Sequence, residues 1–353
     1  MSGGVDSSVA AALLLQQGYE VVGGFIKNWS DSKDPLSGIC SWRAERRDAL
    51  RVAAVLDIPL LTFDFEKQYR KLIVQELYDG YKRGETPNPD VLCNEYIKFG
   101  LFWEQAKKFG FEFMATGHYA ILKNDKSGNA HLIRGVDPDK DQSYFLYRVP
   151  QQVLRRTFFP IGKYKKSEIR RFAQKFRLPV AAKPDSQGIC FIGKVDFSEF
   201  LSNKLKNNPG DIVTSDGKVI GTHFGLHNYT IGQRQRIAIA DKHPWFVAQK
   251  DIKNNCLIVV DSEDHPLMQA KELIITDLHW VAGKTPKLPL NVSIQVRYRQ
   301  SPHQAKIFAD ATSKSIKIKL KKYVKAAAIG QSVVIYHNSE CLGGGVIRQT
   351  MQV

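Results

Sequence analysis

The chain has 353 residues, of which 43% are hydrophobic and 24% charged, so its composition is that of a soluble globular protein and excludes a wholly disordered or fibrous chain. It carries 51 Lys and Arg against 35 Asp and Glu, a net charge of +16, which favours a polyanionic partner such as nucleic acid over the alternative of a well-solvated basic surface. No apolar run approaches the ~18 residues of a membrane span, and the irregularly spaced cysteines suggest no disulfide framework, so we expect a cytoplasmic protein without membrane contact.

The first half of the chain predicts an α/β fold. Helices are predicted over residues 8–17, 43–56, 66–78 and 98–109, and strands over residues 20–27, 58–63 and 111–116. This alternation is typical of a doubly wound parallel sheet with helices on both faces.

The sequence pattern changes near residues 207–210. Beyond this point, short segments in which apolar and polar residues alternate are separated by turn residues, which predicts β structure. Such segments lie at residues 256–260, 292–298 and 316–320. A second boundary is predicted around residues 267–273. We therefore expect three domains, over residues 1–207, 208–270 and 271–353.

The first chemical motif is Ser-Gly-Gly-Val-Asp-Ser-Ser at residues 2–8, directly before an Ala/Leu-rich helix. Two glycines allow successive N–H groups to face one anion, and the helix dipole favours phosphate at that end. An ordinary helix N-cap is the alternative, and the Gly-Lys-Ser/Thr ending of a Walker loop is missing. The complete string resembles the pyrophosphate loop of enzymes that cleave ATP between its α and β phosphates and adenylate a carbonyl oxygen.

Two cysteines stand in chemically suggestive surroundings. Cys93 ends a Pro-rich segment, predicted to be extended, about one turn before a helix, where the helix dipole and Lys98 would favour the thiolate. Cys190 lies in the Gly-containing segment Asp-Ser-Gln-Gly-Ile-Cys-Phe, residues 185–191. Taken alone, each is equally consistent with a small buried hydrophobe, and no Cys or His spacing indicates zinc, so no metal site is predicted. The remaining cysteines are interpreted as buried hydrophobes: Cys40, Cys256 and Cys341.

The basic excess is concentrated between residues 154 and 183, within a predicted basic helical part of the first domain at residues 151–200. This stretch has ten Lys or Arg against one acid, and residues 165–176 are predicted to be helical, which would create a broad phosphate-binding face. A solvated helix face is the alternative. The basic residues are Arg155, Arg156, Lys163, Lys165, Lys166, Arg170, Arg171, Lys175, Arg177 and Lys183.

Seven strings along the chain resemble those of the tRNA-specific 2-thiouridylases, in the same order and spacing. They are SGGVDSS, TPNPDVLCN followed by IKF, ATGHYA, KDQSYFL, DSQGICF, YTIGQR and CLGGG. The resemblance runs from residue 1 to about residue 347. It implies an adenine nucleotide α-hydrolase-like domain, a small central domain and a C-terminal β-barrel. It also implies that the 2-oxygen of the wobble uridine of tRNA is exchanged for sulfur with consumption of ATP.

The resemblance assigns roles to residues of this chain. Cys190 would carry a persulfide, Cys93 would release the sulfur and leave a Cys93–Cys190 disulfide, and Asp90 would act as acid or base. The implied ligands of Mg-bound ATP are Ser2, Gly3, Gly4, Val5, Asp6, Ser7, Ser8, Ile26 and Gly117. The implied contacts with tRNA are Asn88, Pro89 and Asp90 at the target base, and His118, Lys140, Asp141, Gln142, Arg297, Tyr298 and Gln331 elsewhere.

The implied partners are tRNA and a sulfur donor, either a sulfur-carrier protein or a cysteine desulfurase. Tyr298 could stack on a flipped-out base, or it could belong to the core beneath its strand. Two other classes of protein stay open at this point: an ATP-driven synthetase acting on a small molecule, and a non-catalytic RNA-binding relative.

The chain departs from the family pattern at three places. Ile121 stands where an arginine is usual, and residues 235–240 lack the usual glycines, which affects the expected loop path more than the chemistry. Relatives have a short apolar strand before the Ser-Gly-Gly motif, whereas this sequence begins at the loop. We therefore expect that this sequence is N-terminally shortened and that an apolar strand before Met1 would complete the sheet.

Overall fold

The N-terminal region alternates helices with parallel strands, as the sequence predicts. The computed structural model describes residues 1–31, 40–185, 197–202, 204–235, 237, 239, 244–310 and 314–352. The first helices are α1 (Val5–Gln16), α2 (Ser41–Leu56), α3 (Glu66–Tyr69, Arg70–Val74 and Gln75–Lys82, continuous) and α4 (Pro89–Leu92, Cys93–Phe102 and Trp103–Lys108, continuous). They are followed by α5 (Gln151–Leu154), α6 (Lys166–Lys175) and α7 (Phe197–Ser202).

Two parallel strand pairs flank the beginning of the chain. The strands of this region are β1 (Gly23–Lys27), β2 (Leu60–Asp64), β3 (Met114–Ala115), β4 (Ala120–Asn124), β5 (Ala130–Arg134) and β6 (Thr157–Phe158). Strand β1 pairs with β2, and β3 pairs with β6, both in parallel. The Met1 amine donates to the carbonyl of Gly24 on β1, whereas Gly117, just after β3, meets the start of α1 from the other side.

Helix α4 begins nine residues earlier than predicted. The Asn88 side chain accepts a hydrogen bond from the Val91 N–H at 3.3 Å, and Pro89 occupies the first turn. Proline is tolerated there because its fixed φ suits a helix and its missing N–H would have had no partner inside the helix. The prediction of an extended segment reaching Cys93 was therefore wrong: Cys93 lies inside the helix rather than before it.

The middle region contains a four-stranded sheet. Its strands are β7 (Gly210–Thr214), β8 (Val219–His223), β9 (Phe246–Asp251) and β10 (Cys256–Val260), in the order β8-β7-β10-β9. Ile212, Leu257 and Val259 are fully buried in its core. The β structure predicted from residue 208 onwards is confirmed.

The last six strands close into a barrel. They are β11 (Gln269–Trp280), β12 (Leu290–Gln295), β13 (His303–Ala309), β14 (Ile316–Lys325), β15 (Ser332–His337) and β16 (Glu340–Gln352). The order β11-β14-β13-β12-β15-β16 is closed by pairing of β16 with β11. The β-barrel is thus confirmed. On β14, Ile316, Ile318 and Leu320 face its core, as their alternation with lysines predicts.

The barrel is joined to the α/β region by main-chain and ionic contacts. Strand β5 pairs with β16, so the β4–β5 hairpin extends the barrel sheet. Arg148, whose side chain is 10% exposed, donates to Glu95 on α4 at 2.5 Å and to Asp277 on β11 at 2.6 Å. Burial raises the pKa of Glu95 although Arg148 opposes that rise. None of the described helices is long and apolar enough to cross a membrane.

We predict that Arg148→Ala lowers the free energy of unfolding by about 3 kcal/mol, because it leaves the partly buried Glu95 carboxylate without its partner. Chemical denaturation would measure the change. Arg83→Ala is the control, since Arg83 pairs with Glu76 and Glu85 but is 48% exposed, and its loss should cost less than about 1 kcal/mol. Equal losses in the two variants would contradict this account of the junction.

Candidate functional site

The loop at residues 2–8 needs glycine at position 3. Gly3 has φ +69°, and a Cβ atom there would lie 2.3 Å from the carbonyl oxygen of Glu45 on α2. Gly4 then takes an extended conformation as the N-cap of α1. No larger residue could occupy position 3 without moving α2. The tight turn expected from the sequence is therefore present.

The carbonyl groups of this loop are occupied from inside the protein. The Ser8 hydroxyl donates to the Gly4 carbonyl at 2.8 Å, and the Ser7 hydroxyl does so at 3.3 Å. The Lys183 ammonium donates to the Gly3 carbonyl at 3.0 Å and to Asp48 at 2.7 Å. Because the first N–H groups of a helix have no intrahelical acceptor, the beginning of α1 is a site suited to an anion.

Asp6 binds a cation and a phenol. Its carboxylate accepts hydrogen bonds from the Tyr119 hydroxyl at 2.7 Å and from the Lys166 ammonium at 2.7 and 2.9 Å. Burial and the charge of Asp6 raise the pKa of Tyr119, so the phenol stays protonated and remains a donor. Lys166 also pairs with Asp185 at 2.8 Å and so links the loop to the end of the basic region.

Asp185 is the centre of a cation cluster. It pairs with Lys140 at 2.8 Å and with Arg170 at 2.7 Å, in addition to Lys166. Desolvation opposes its ionisation, but the hydrogen bonds from Lys140 and Lys166 outweigh desolvation and lower its pKa to about 2. Cys190, five residues further on, lies outside the described residues, and the structure therefore does not place it relative to Cys93.

Residues 116–118 connect the loop to the helix that carries Cys93. A Cβ atom on Gly117 would lie 2.6 Å from the Ser7 nitrogen, so glycine permits this close approach. The next side chain, His118, is buried against Phe99 of α4, with ring centroids 5.9 Å apart. Burial and the charge of Lys98 hold the pKa of His118 well below its usual value, so the ring is neutral at pH 7.

Cys93 is fully buried in an apolar cluster that also contains Trp29, Tyr69 and Phe200. Ile26, on β1, packs against the same cluster. Asn88, Pro89 and Asp90 form the partly exposed N-terminal end of α4, one turn from Cys93. The structure thus places the residues predicted to contact the target base directly before the buried thiol.

Several predicted tRNA-contact side chains serve the protein interior. Asp141 accepts hydrogen bonds from Arg134 and from Ser143, all near 3.0 Å. The Gln142 side chain accepts one from the Tyr119 N–H at 3.0 Å. Together with the burial of His118, these contacts give three of the predicted residues a supporting position.

The barrel brings the other predicted positions to the beginning of α4. The Thr86 N–H donates to the Ile329 carbonyl at 2.8 Å, two residues before Gln331. Arg297 donates to the Ala326 carbonyl at 2.7 Å and, in the middle region, to the Ile231 carbonyl at 2.8 Å. All three regions of the chain therefore meet beside residues 86–90.

The predicted basic face divides into two groups. Seven of its ten cations are exposed: Arg155, Arg156, Lys163, Lys165, Arg171, Lys175 and Arg177. The other three turn towards the loop or Asp185: Lys166, Arg170 and Lys183. Sequence reasoning missed this inward group, and also Tyr119, because the carboxylates that bind them lie far away along the chain. The only signal for Tyr119 was its place in the ATGHYA string.

The architecture and loop define a class of protein with a nucleotide-binding α/β domain followed by two β domains. Residues 1–194 match the family model described as tRNA methyl transferase HUP domain. Residues 198–261 match the tRNA methyl transferase PRC-barrel domain, and residues 270–347 match the Aminomethyltransferase beta-barrel domain. The predicted α/β fold class is confirmed by this match.

Relatives from three organisms are named tRNA-specific 2-thiouridylase MnmA. The protein of Methylobacillus flagellatus is 46% identical, over 99% of this chain and 98% of the relative. That of Nitrosomonas eutropha is also 46% identical with the same coverage, and that of Lactiplantibacillus plantarum is 43% identical over 98% and 93% of the two chains. The chain belongs to the tRNA-specific 2-thiouridylase family, as the resemblance of its motifs predicted.

Proposed function

We propose that this chain is a tRNA-uridine 2-sulfurtransferase that thiolates the wobble uridine at its 2-position with consumption of ATP. The observation that carries the proposal is the connection made by residues 116–118. Gly117 touches the phosphate-type loop, while His118 packs on the helix that bears Asp90 and Cys93. The segment that touches the loop thus also packs on the helix whose first turn would hold the base, which supports direct transfer of an adenylyl group between the two.

The loop suits the polyphosphate of Mg-bound ATP. Glycine at position 3 permits the turn that packs against α2 before the N-terminus of α1, and the Lys183 and Lys166 ammonium groups stand beside Gly3 and Asp6. The helix terminus and these cations would stabilise the negative charge that develops on pyrophosphate as it leaves. The resemblance implies that Ile26 and Gly117 bind ATP, and we place them near its adenosine.

The chemistry that we assign has two stages. The uracil 2-oxygen attacks the α-phosphorus of ATP and releases pyrophosphate, with Asp90 accepting or donating a proton at the ring. The terminal sulfur of a Cys190 persulfide then attacks C2 and displaces AMP, which is a far better leaving group than hydroxide. Cys93 next attacks the Cys190 sulfur, breaks the S–S bond and leaves 2-thiouridine and a Cys93–Cys190 disulfide, which a thiol reductant must reopen. The persulfide sulfur would come from a sulfur-carrier protein or a cysteine desulfurase.

Contact with tRNA is assigned to the exposed cations of the basic region and to the junction with the barrel. Lys140, Tyr298 and Gln331 remain proposed contact positions, with Asn88 and Pro89 at the target base. For Arg297, whose guanidinium donates to two backbone carbonyls, we propose a supporting role at the junction. For His118, Asp141 and Gln142 we propose a supporting role, because their side chains are engaged inside the protein.

The decisive experiment measures pyrophosphate release from ATP with and without tRNA. We predict release that depends on tRNA carrying a wobble uridine. Cys190→Ser should retain it yet form no 2-thiouridine, because the persulfide acts after adenylation, and Cys93→Ser should also fail to turn over. Release that ignores tRNA would instead indicate a small-molecule synthetase, and no release would indicate a non-catalytic RNA binder. Thiolation by Cys190→Ser above a residual rate would contradict the role assigned to Cys190.

Adjacent arginines on α6 offer a matched pair for the tRNA surface. Arg171 is exposed, whereas Arg170 donates to Asp185 and to the Ala181 carbonyl at 2.9 Å. We predict that Arg171→Gln flattens the dependence of log K for tRNA on log salt by about 0.7–0.9, the value for one lost phosphate contact. Arg170→Gln should leave that slope unchanged. Binding titrations at several salt concentrations measure both, and equal slopes in all three proteins would assign Arg171 to simple solvation.

A further inference from the structure

A partly exposed pair of aromatic rings lies where the α/β region meets the barrel. The rings of Phe145 and Tyr298 have centroids 4.5 Å apart and are inclined at 50°. Tyr144, fully buried behind them, donates from its hydroxyl to the Ser332 carbonyl at 2.9 Å and holds the pair against the barrel. Both rings of the pair pack on the edge of the core rather than inside it.

Phe145 is tied to the residue next to the buried thiol. The Asn94 side chain donates to the Phe145 carbonyl at 3.1 Å, and Asn94 directly follows Cys93 on α4. Asn94 is 2% exposed, so this contact fixes the backbone of Phe145 relative to the thiol helix. The aromatic pair is therefore held in a defined position with respect to Cys93 and Asp90.

One cation lies beside the pair. The Arg299 guanidinium lies 5.2 Å from the centre of the Tyr298 ring, and Arg299 itself is exposed. Burial raises the pKa of Tyr298, so its phenol is neutral and adds no negative charge. Proteins bind unpaired bases on partly exposed aromatic rings with basic side chains nearby, since every base has a face that can stack.

We propose that the Phe145–Tyr298 pair is the stacking surface for the unpaired target pyrimidine, and that Phe145 is the positioning residue that holds the base towards Asp90 and Cys93. This inference rests on the proposed function and deepens it. Phe145 stands in the KDQSYFL string, where sequence reasoning considered only the polar residues. Its ring has no reactive group, so its contribution is geometric: it restricts the base to orientations in which the 2-oxygen can react.

The test compares Phe145→Leu, which keeps apolar volume but removes the aromatic face, with Phe145→Tyr, which keeps that face. We expect Phe145→Leu to lower kcat/KM for tRNA about tenfold and to leave KM for ATP and the melting temperature unchanged. Phe145→Tyr should keep kcat/KM near the wild-type value. Phe308→Leu is the matched control, because Phe308 is a partly buried ring with Lys306 at 5.5 Å and Lys319 at 5.9 Å on the barrel. Unchanged kcat/KM in Phe145→Leu, or an equal loss in Phe308→Leu, would overturn the proposal.

A second measurement is independent of turnover. tRNA with 5-iodouridine at the wobble position is irradiated in the complex, and the crosslinked peptide is identified by mass spectrometry. An adduct at Phe145 or Tyr298 supports the stacking surface, and adducts confined to other peptides contradict it. The proposed function would be contradicted if the wild-type chain neither thiolated tRNA nor released pyrophosphate in its presence. Only the stacking surface would be overturned if the wild-type chain thiolated tRNA and Phe145→Leu kept full kcat/KM.

Discussion

The site depends on the close approach of three backbone segments around residues 2–8. The carbonyl of Glu45 lies against Gly3 from one side, and Gly117 meets the Ser7 nitrogen from the other. A loop binds phosphate through its N–H groups only if its carbonyl groups are turned elsewhere. Here Lys183 satisfies the Gly3 carbonyl, and the serine hydroxyls satisfy that of Gly4. Steric contact and hydrogen bonds therefore fix the same loop conformation.

Carboxylates of the protein pair with the lysines around this loop. Lys166 is shared between Asp6 and Asp185, and Lys183 pairs with Asp48, although the whole chain carries a net charge of +16. Inward cations bound by carboxylates avoid the cost of burying an unpaired charge. A polyphosphate would compete with those carboxylates for the same lysines. Among the residues that the structure describes, the exposed cations of α6 have no such carboxylate partners, so the two groups of basic residues are suited to different anions.

The sequence predicted the element types well and the partners of polar side chains poorly. Ala- and Leu-rich composition identified α1, and alternation identified β14 and the change to β structure, because apolar spacing in a strand depends only on local burial. The start of α4 was missed although Asn88-Pro89 is a helix-start signal, since prolines were interpreted as extending the chain. Lys166 and Arg170 were assigned to a surface face because helical spacing does not reveal that Asp6 and Asp185 lie opposite them. The family motifs supplied the site residues, and the positions of Asp141 and Gln142 in the interior required the structure.

The ambiguity at Tyr298 is explained by the way in which the barrel is attached. The sequence predicted that Tyr298 is either a core residue or a residue that stacks on a base. In the structure its ring is partly buried against Phe145, which belongs to the α/β region. That contact exists because β5 pairs with β16 and makes the barrel continuous with the β4–β5 hairpin. The pairing joins two strands that lie far apart along the chain, and a local sequence pattern does not reveal such a partner. The proposed catalytic residues lie on the α/β region, and part of the proposed recognition surface lies on the barrel. The shared sheet holds these two parts in a defined relative position.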